Sequence, residues 1–536
     1  MFVDLLKLKK FLINTLSAFF ASASIIGVLY YIIYPSAAYF HADCTDTILW
    51  AQASYDGGTL FNPDFGYAAM LPFGGTMLML PFIGIFGVSM TTHHIGMVLF
   101  TLLLFAAVLW LCKCLRFSFP LSMMTVGTFA AVLCASEKLR EIFYEHVIYY
   151  SICVLIICIL LSLFIKFKES TNENRLGKLA AVTFATVIVS ICAALDGMQV
   201  IATGVVPVLF AAVAEMFLDK NKNLFSKDNI IPVTFCLVSG FSVIAGLVIL
   251  GAVDNGVSAG YAGAYSTYSN MNEWLTNLFK FPEHWFGLFG VDAHYGMSLF
   301  SAESIVNMVR IASAAVIALV PVIALFFYNK LDFGTRALVL THLGLSGVIL
   351  FGFIFGILSA ANWRLSPVIC TGVLVCFAVF RAAKEYVVPK RLVAAVMCVL
   401  VLMSGVSFAI VAKMDKNGIE NNEKYAVIQY LKENGLTYGY ATFWNSQVIT
   451  VLSDSEVRAA NVDVNEGGIA PCAYQANQKW FEMQEGINKY FVLLSEAEEA
   501  TLTGTDDWIY FDDPSVERHI AEGYIIYVFN STAFLH

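Results

Sequence analysis

The chain has 536 residues, of which 59% are hydrophobic and only 13% charged, with a formal net charge of −9 and a mean hydropathy of +0.73. This excludes a water-soluble globular protein of this size, whose surface needs roughly 25% charged residues. Apolar runs of about 20 residues recur, each long enough to cross a hydrocarbon core of roughly 30 Å, so the sequence predicts a polytopic α-helical membrane protein.

Lys7, Lys9 and Lys10 precede a first span over about 11–34, which is too long for the apolar region of a cleaved signal peptide. The lysines keep the N-terminus cytoplasmic. The stretch that follows, FHADCTDTILWAQASYDGGTLFNPDFG (40–66), is then outside. It sets Asp43 and Asp46 at the mouth of a helix expected over 44–55, which runs into Gly57 and Gly58. Asp is a strong N-cap, and an acid three residues on approximates a capping box, so capping is one reading of the pair. The other rests on place: carboxylates at a membrane interface are costly unless solvated or used, and one there can act as general base on an acceptor hydroxyl. Residues 67–87, broken by Pro72 and Pro81, are expected to lie along or dip into the outer face. A hairpin of two spans is the second reading.

His93 and His94 stand at the outer start of the second span. Later spans begin or end at Lys113 and Arg116; at Lys166, Lys168, Arg175 and Lys178; at Lys220, Lys222 and Lys227; at Lys330 and Arg336; and at Arg381, Lys384, Lys390 and Arg391. With the first three lysines, about 18 basic residues fall inside, against 4 outside (Lys138, Arg140, Lys280 and Arg364). That asymmetry sets an orientation with about 11 spans and the C-terminus outside. Glu145 and His146 open the fourth span from outside, either as a solvated span end or as donor or metal contacts. Asp196 ends a very apolar span, where a carboxylate is costly.

The outer loop 252–304 begins rich in Gly, Ser and Tyr and reads as a mobile lid. Its Tyr261, Tyr265, Tyr268, Trp274 and Trp285 suit headgroup anchoring better than sugar stacking. Glu283, His284, Asp292 and His294 could coordinate a metal, although their spacing matches no specific site. Arg364, in ANWRLSP at an outer span end, is either a phosphate-binding fork or a snorkelling interfacial arginine. Cys44 and Cys472 lie outside the spans and could pair.

Residues 1–412 thus form a membrane domain with outer loops 35–94 and 252–304, and 413–536 a small extracytoplasmic α/β domain. In that domain 424–433 has helical spacing; 438–443, 457–462, 490–494 and 524–529 read as strands; EAEEATL and PSVERHIAEG read as helical. No P-loop, dinucleotide fingerprint, HExxH or paired CxxC is present, and nothing resembles a nucleic-acid module.

An N-terminal span, an outer loop opening on an acidic motif and a short helix, a proline-broken interfacial helix and then a train of spans resembles the GT-C superfamily of membrane glycosyltransferases. Protein O-mannosyltransferases and lipid A aminoarabinose transferases belong to it. The resemblance implies an inverting glycosyltransferase of a multi-pass plasma membrane protein. It would move a hexose or pentose from a polyprenyl-phosphate donor to an extracytoplasmic glycan, lipid or protein. The matching catalytic positions are Asp43 and Asp46, with the choice of base open. Arg364 would face the donor phosphate, joined by His93 and His94. Glu145, with His146 and Asp196, would hold the donor or a divalent cation such as Mg or Mn. The rivals are a transporter or flippase of lipid-linked sugar, a glycan ligase or polymerase, and a structural anchor for the tail. Few charges sit mid-span where a transporter needs them, and so many spans exceed what an anchor needs.

Overall fold

The structure is a computed structural model that describes residues 2–218, 229–253, 267–357, 361–383 and 390–535. Among these, ten helices are long and apolar enough to cross a membrane. The bent pair Phe119–Val132 and Glu137–Glu145, whose axes meet at 117°, makes an eleventh if counted as one span. The protein is therefore a polytopic helical membrane protein, and its carboxy-terminal residues carry a six-stranded sheet. Lys220, Lys222, Lys227 and Lys384, and the lid residues 254–266 with Tyr261 and Tyr265, lie outside the described residues.

The chain divides into two compact units. The first comprises Met1–Tyr31, Phe100–Gly251 and Gly263–Met414. Its centre is the Tyr149–Asn172 helix, buried along most of its length. Peripheral helices such as Ile230–Val253 turn Phe241, Ile244 and Val248 outward, which suits lipid. Contacts between helices use small residues, because lipid supplies no hydrophobic drive and close packing must do the work. At Gly246 a Cβ would stand 2.6 Å from the Ala194 Cβ and 2.9 Å from the Ile191 carbonyl, so only glycine lets the helices approach. Ser190 and Ser239 share a 2.8 Å hydrogen bond across the same pair.

The second unit comprises Ile32–Leu99, Ala252–Ala262 and Asp415–His536. The first outer loop, grouped by sequence with residues 1–412, thus makes its compact contacts with the carboxy-terminal domain. The sheet holds β1 (Tyr438–Ala441), β2 (Arg458–Asn465), β3 (Gly468–Pro471), β4 (Tyr490–Leu494), β5 (Glu517–Ala521) and β6 (Tyr524–Phe529). Its order is β3-β2-β1-β4-β6-β5, with β1 parallel to β2 and β4 and the remaining pairs antiparallel. Tyr440, Tyr490, Val492 and Tyr527 fill the core. The EAEEATL segment is the expected helix, Glu496–Leu502, closed by a Ser495–Glu498 capping box.

PSVERHIAEG is not helical. It supplies β5, joined to β6 through Glu522 and Gly523, both at positive φ (53° and 81°), as a two-residue primed hairpin turn requires. The side chains explain the pairing. Arg518 donates to Glu499 at 2.8 Å, while Ile520 on this edge strand stays exposed.

The apolar Pro72–Phe86 segment is kinked at Gly74 and packs on the Asp46–Gly57 helix. At 1.5 Å per residue it reaches only about 22 Å, short of a hydrocarbon core. The loop is sewn to the domain by backbone bonds. Gln475 N–H donates to the Gly66 carbonyl at 2.8 Å, and Gly66 N–H to that of Ala476 at 3.0 Å. A Cβ on Gly66 would meet the Ala473 carbonyl oxygen at 1.9 Å, so the close approach demands glycine. The Asn422 amide donates to the Ala37 and Phe40 carbonyls at 2.7 and 3.0 Å, and Lys479 pairs with Asp64 at 2.6 Å. Cys44 and Cys472 are both buried thiols and are not joined in a disulfide.

Candidate active site

The acidic loop descends through two short 3-10 turns, Pro35–Ala38 and Ala42–Thr45, into the helix Asp46–Gly57. This helix starts two residues later than the sequence suggests, and Gly58 ends it in the left-handed conformation. Its N-cap is Thr45, and no side chain caps it; the preceding turn, with His41 at its N-cap, also lacks a side-chain cap. The capping reading therefore fails for both acids. Asp43 is half-buried, and its carboxylate makes no hydrogen bond or ion pair among the described residues.

Asp46 is held instead. Trp50 Nε1 donates to Gln475 Oε1 at 2.8 Å, and Gln475 Nε2 donates to Asp46 Oδ1 at 2.7 Å. Gln475 is 0% exposed and sits at φ 54°, a strained conformation for a side chain that is not glycine. Burial, and then the negative charge of Asp43, push the Asp46 carboxyl well above the usual range; the Gln475 bond and His41 act the other way.

The raised value has a consequence for stability. The native state holds the Asp46 proton more tightly than the unfolded chain does. Stability is therefore lost as pH rises above the unfolded carboxyl's value of about 3.9 and through the native one. Asp46→Asn is expected to flatten that decline and to melt above the native protein at neutral pH. Thermal unfolding in detergent at a series of pH values checks this; a variant with the native slope would contradict it.

His93 and His94 lie in the first turns of the Met90–Cys114 helix. His93 is buried and meets the Phe40 ring edge-on at 4.9 Å, three residues before Asp43. His94 Nε2 is buried without a hydrogen-bond partner among the described residues.

In the first unit, Ser136 caps a short helix, Glu137–Arg140, that continues as the wide turn Glu141–Glu145. Glu145 is 1% exposed, so the solvated span end is overturned. It accepts a short hydrogen bond from the Tyr31 hydroxyl. The Arg140 guanidinium lies 5.3 Å from the centre of the Tyr31 ring, and Arg140 Nη1 donates to the Cys134 carbonyl at 3.3 Å. Glu141 pairs with Lys138 and stands 3.9 Å from His146 Nε2. Charges of both signs are gathered here because an unpaired one at this depth would cost about 3–5 kcal/mol.

Arg364 sits in the turn Asn362–Leu365 and lines a cavity of about 330 Å³ with Tyr149, Tyr150, Gln199, Thr203 and Phe351. Its Nε is buried with no acceptor among the described residues, and the Tyr150 hydroxyl is within hydrogen-bond reach of the guanidinium. The walls are mainly apolar, and the polar groups are few. Such a space suits a ligand with an anionic head and a greasy body. Asp196, 3% exposed, is not among the lining residues; Gln199, three positions on, is.

The loop candidates do not assemble. Glu283 is exposed, His284 packs against the Phe353 ring at 5.5 Å, and Asp292 and His294 face each other at 3.9 Å on the surface. Among the described residues no three of His, Cys, Asp and Glu come together as metal ligands. The four loop candidates are therefore not brought together as one ligand set. Sequence reasoning missed Gln475, Trp50, Arg140, Glu141 and Tyr31. For Tyr31 a signal existed, since a tyrosine inside an apolar span invites the question of what its hydroxyl bonds.

Fold and side chains together define a multi-pass membrane protein with an acidic extramembrane loop, a buried acid–base cluster and an arginine-lined cavity. No family model and no curated protein matches the chain. Among solved structures it is similar to ArnT from Cupriavidus metallidurans bound to undecaprenyl phosphate: 10% identity, 96% of this chain and 98% of that one, TM-score 0.41. It is also similar to the Archaeoglobus fulgidus oligosaccharyltransferase in complex with zinc and sulfate: 12% identity, 96% of this chain and 74% of that one, TM-score 0.43.

Proposed function

We propose that the protein is an inverting glycosyltransferase that moves a single sugar from a polyprenyl-phosphate donor to an extracytoplasmic acceptor hydroxyl. The observation that carries this reading is the carboxylate pair. Both acids are half-buried, but Asp46 is fixed by Gln475 and biased toward its neutral form, while the Asp43 carboxylate beside it makes no hydrogen bond or ion pair among the described residues. Two acids with such different surroundings suit two different roles.

The chemistry follows from the groups themselves. Asp43 takes the proton of the acceptor hydroxyl, and the acceptor oxygen forms its bond to the anomeric carbon. The bond from that carbon to the phosphate oxygen breaks, and its electron pair leaves on the polyprenyl phosphate. Attack opposite the leaving group inverts the configuration. Arg364 is assigned to the leaving phosphate, whose growing charge its planar fork matches. Glu145 and Arg140 stiffen the turn ahead of the Tyr149–Asn172 helix, which supplies Tyr149 and Tyr150 to the Arg364 cavity. His93 and His94 are positioning groups at the loop's base.

Orientation belongs to the same proposal. The excess of Lys and Arg on one set of loops favours a cytoplasmic N-terminus, with the acidic loop and the sheet outside a plasma membrane.

Transfer of radiolabelled hexose or pentose from polyprenyl phosphate, in membranes containing the protein, tests the reading. Transfer that depends on the protein supports it. If no donor in the series gives transfer by intact reconstituted protein, the transferase reading is abandoned, and translocation of the lipid-linked sugar becomes the next assay.

A further inference from the structure

A second cavity lies wholly within the second unit and measures about 610 Å³, inside the range of roughly 300–1,000 Å³ common for small-ligand sites. One wall is the exposed end of the Asp46–Gly57 helix, with Gln52, Tyr55 and Asp56. The other comes from the carboxy-terminal domain, with Arg458, Trp480 and Gln484. Its character differs from that of the Arg364 cavity. The lining is more polar than apolar and combines three aromatic rings, three amides, two carboxylates and a guanidinium.

These groups are partly preset. Gln52 Nε2 donates to Asp56 Oδ1 at 2.6 Å, one helical turn apart, which leaves the Gln52 carbonyl and the second Asp56 oxygen to accept. Trp480 is steadied by the Phe65 ring, edge-on at 6.0 Å, and by the Tyr438 hydroxyl, which donates to its carbonyl at 2.7 Å. Tyr55 is 53% exposed, an aromatic surface whose ring edge lies beside Gly84. A pyranose ring is the complement of such a wall. It offers an apolar C–H face to an aromatic ring and vicinal hydroxyls to planar amide, carboxylate and guanidinium groups. A lipid tail has no use for this lining.

We propose that the cleft between the Asp46–Gly57 helix and the Trp480 segment is a saccharide-binding subsite that holds the non-reacting part of a glycan acceptor. The proposal rests on the transferase reading for the word acceptor, but saccharide binding itself does not. Binding is measured by saturation-transfer NMR on the full chain in nanodiscs, with malto-, cello- and chitotetraose as probes and a neutral tetrapeptide as control.

At least one tetrasaccharide is expected to bind. Trp480→Ala should weaken it at least tenfold and Gln52→Ala by several-fold, while Asp43→Asn binds it as the native protein does. The Gln52 variant keeps the test sound if the loss of Trp480 disturbs the fold. No binding by any tetrasaccharide, binding unchanged in both variants, or binding of the tetrapeptide alone would overturn the proposal. Binding without sugar transfer would fell the transferase reading and leave the subsite standing; transfer without binding would do the reverse.

Discussion

Asp43→Asn is expected to lower sugar transfer by about 10²–10⁴-fold, the usual contribution of a positioned general base. The amide has the carboxylate's shape but cannot take the acceptor's proton. The substitution should leave the fold intact, because the Asp43 carboxylate is half-exposed and makes no bond among the described residues that an amide would lose. Its loss would even relieve Asp46 of a neighbouring negative charge. The companion variant gives the contrast. Asn at position 46 keeps a carbonyl oxygen for the Gln475 amide, so Asp46→Asn should cost far less in rate while it flattens the pH dependence of stability. Initial rates of the two variants, with melting curves as a check on folding, decide between them. Near-native transfer by Asp43→Asn with a dead Asp46→Asn would move the base to Asp46 and leave the class of reaction untouched.

This contrast was not legible in the sequence, for a physical reason. Asp43 and Asp46 look alike as letters, and their difference comes from Gln475, which lies 429 positions away and has no local pattern to announce it. Contacts of that range are set by the tertiary fold. The spans were legible because lipid imposes one rule on every crossing segment, a long apolar helix whose backbone satisfies itself. β1, β2, β4 and β6 were legible as apolar runs. β5 was not: ERHIA mixes charges and apolar residues as an amphipathic helix does, and the hairpin shows in its pairing with β6 and the positive φ of Glu522 and Gly523. β3, only four residues long, gave no signal at all. The metal candidates failed through a similar ambiguity. Glu283 and His284 share one helix, but as neighbours they face different ways: the carboxylate reaches solvent while the imidazole packs on Phe353. Glu145 shows the opposite error. A charged span end suggests hydration, yet the bend after Ser136 turns the chain so that Glu141, Glu145 and His146 are buried together.

The second large effect is expected at Arg364. Hydrogen bonds to charged groups contribute about 1.5–3 kcal/mol, so Arg364→Ala should raise the KM for the lipid-phosphate donor roughly 10- to 150-fold. Arg364→Lys should recover little of this, because an ammonium lacks the planar fork that grips a phosphate with two parallel bonds. A snorkelling arginine would behave otherwise. Lysine snorkels as well as arginine does, so the conservative variant would then be near native. A binding measurement separates donor affinity from chemistry. A lipid phosphate that binds only the folded protein raises its melting temperature according to concentration over Kd. Polyprenyl phosphate should therefore stabilise the native chain and Asp43→Asn alike, and Arg364→Ala much less. The cavity supports that expectation, since Arg364 Nε is buried there without an acceptor among the described residues and the walls around it are mainly apolar. A phosphate oxygen is the acceptor such a buried donor calls for. Equal stabilisation of native, Arg364→Ala and Arg364→Lys proteins would mean that the phosphate is held elsewhere, and Arg364 would then have to be read as an interfacial anchor.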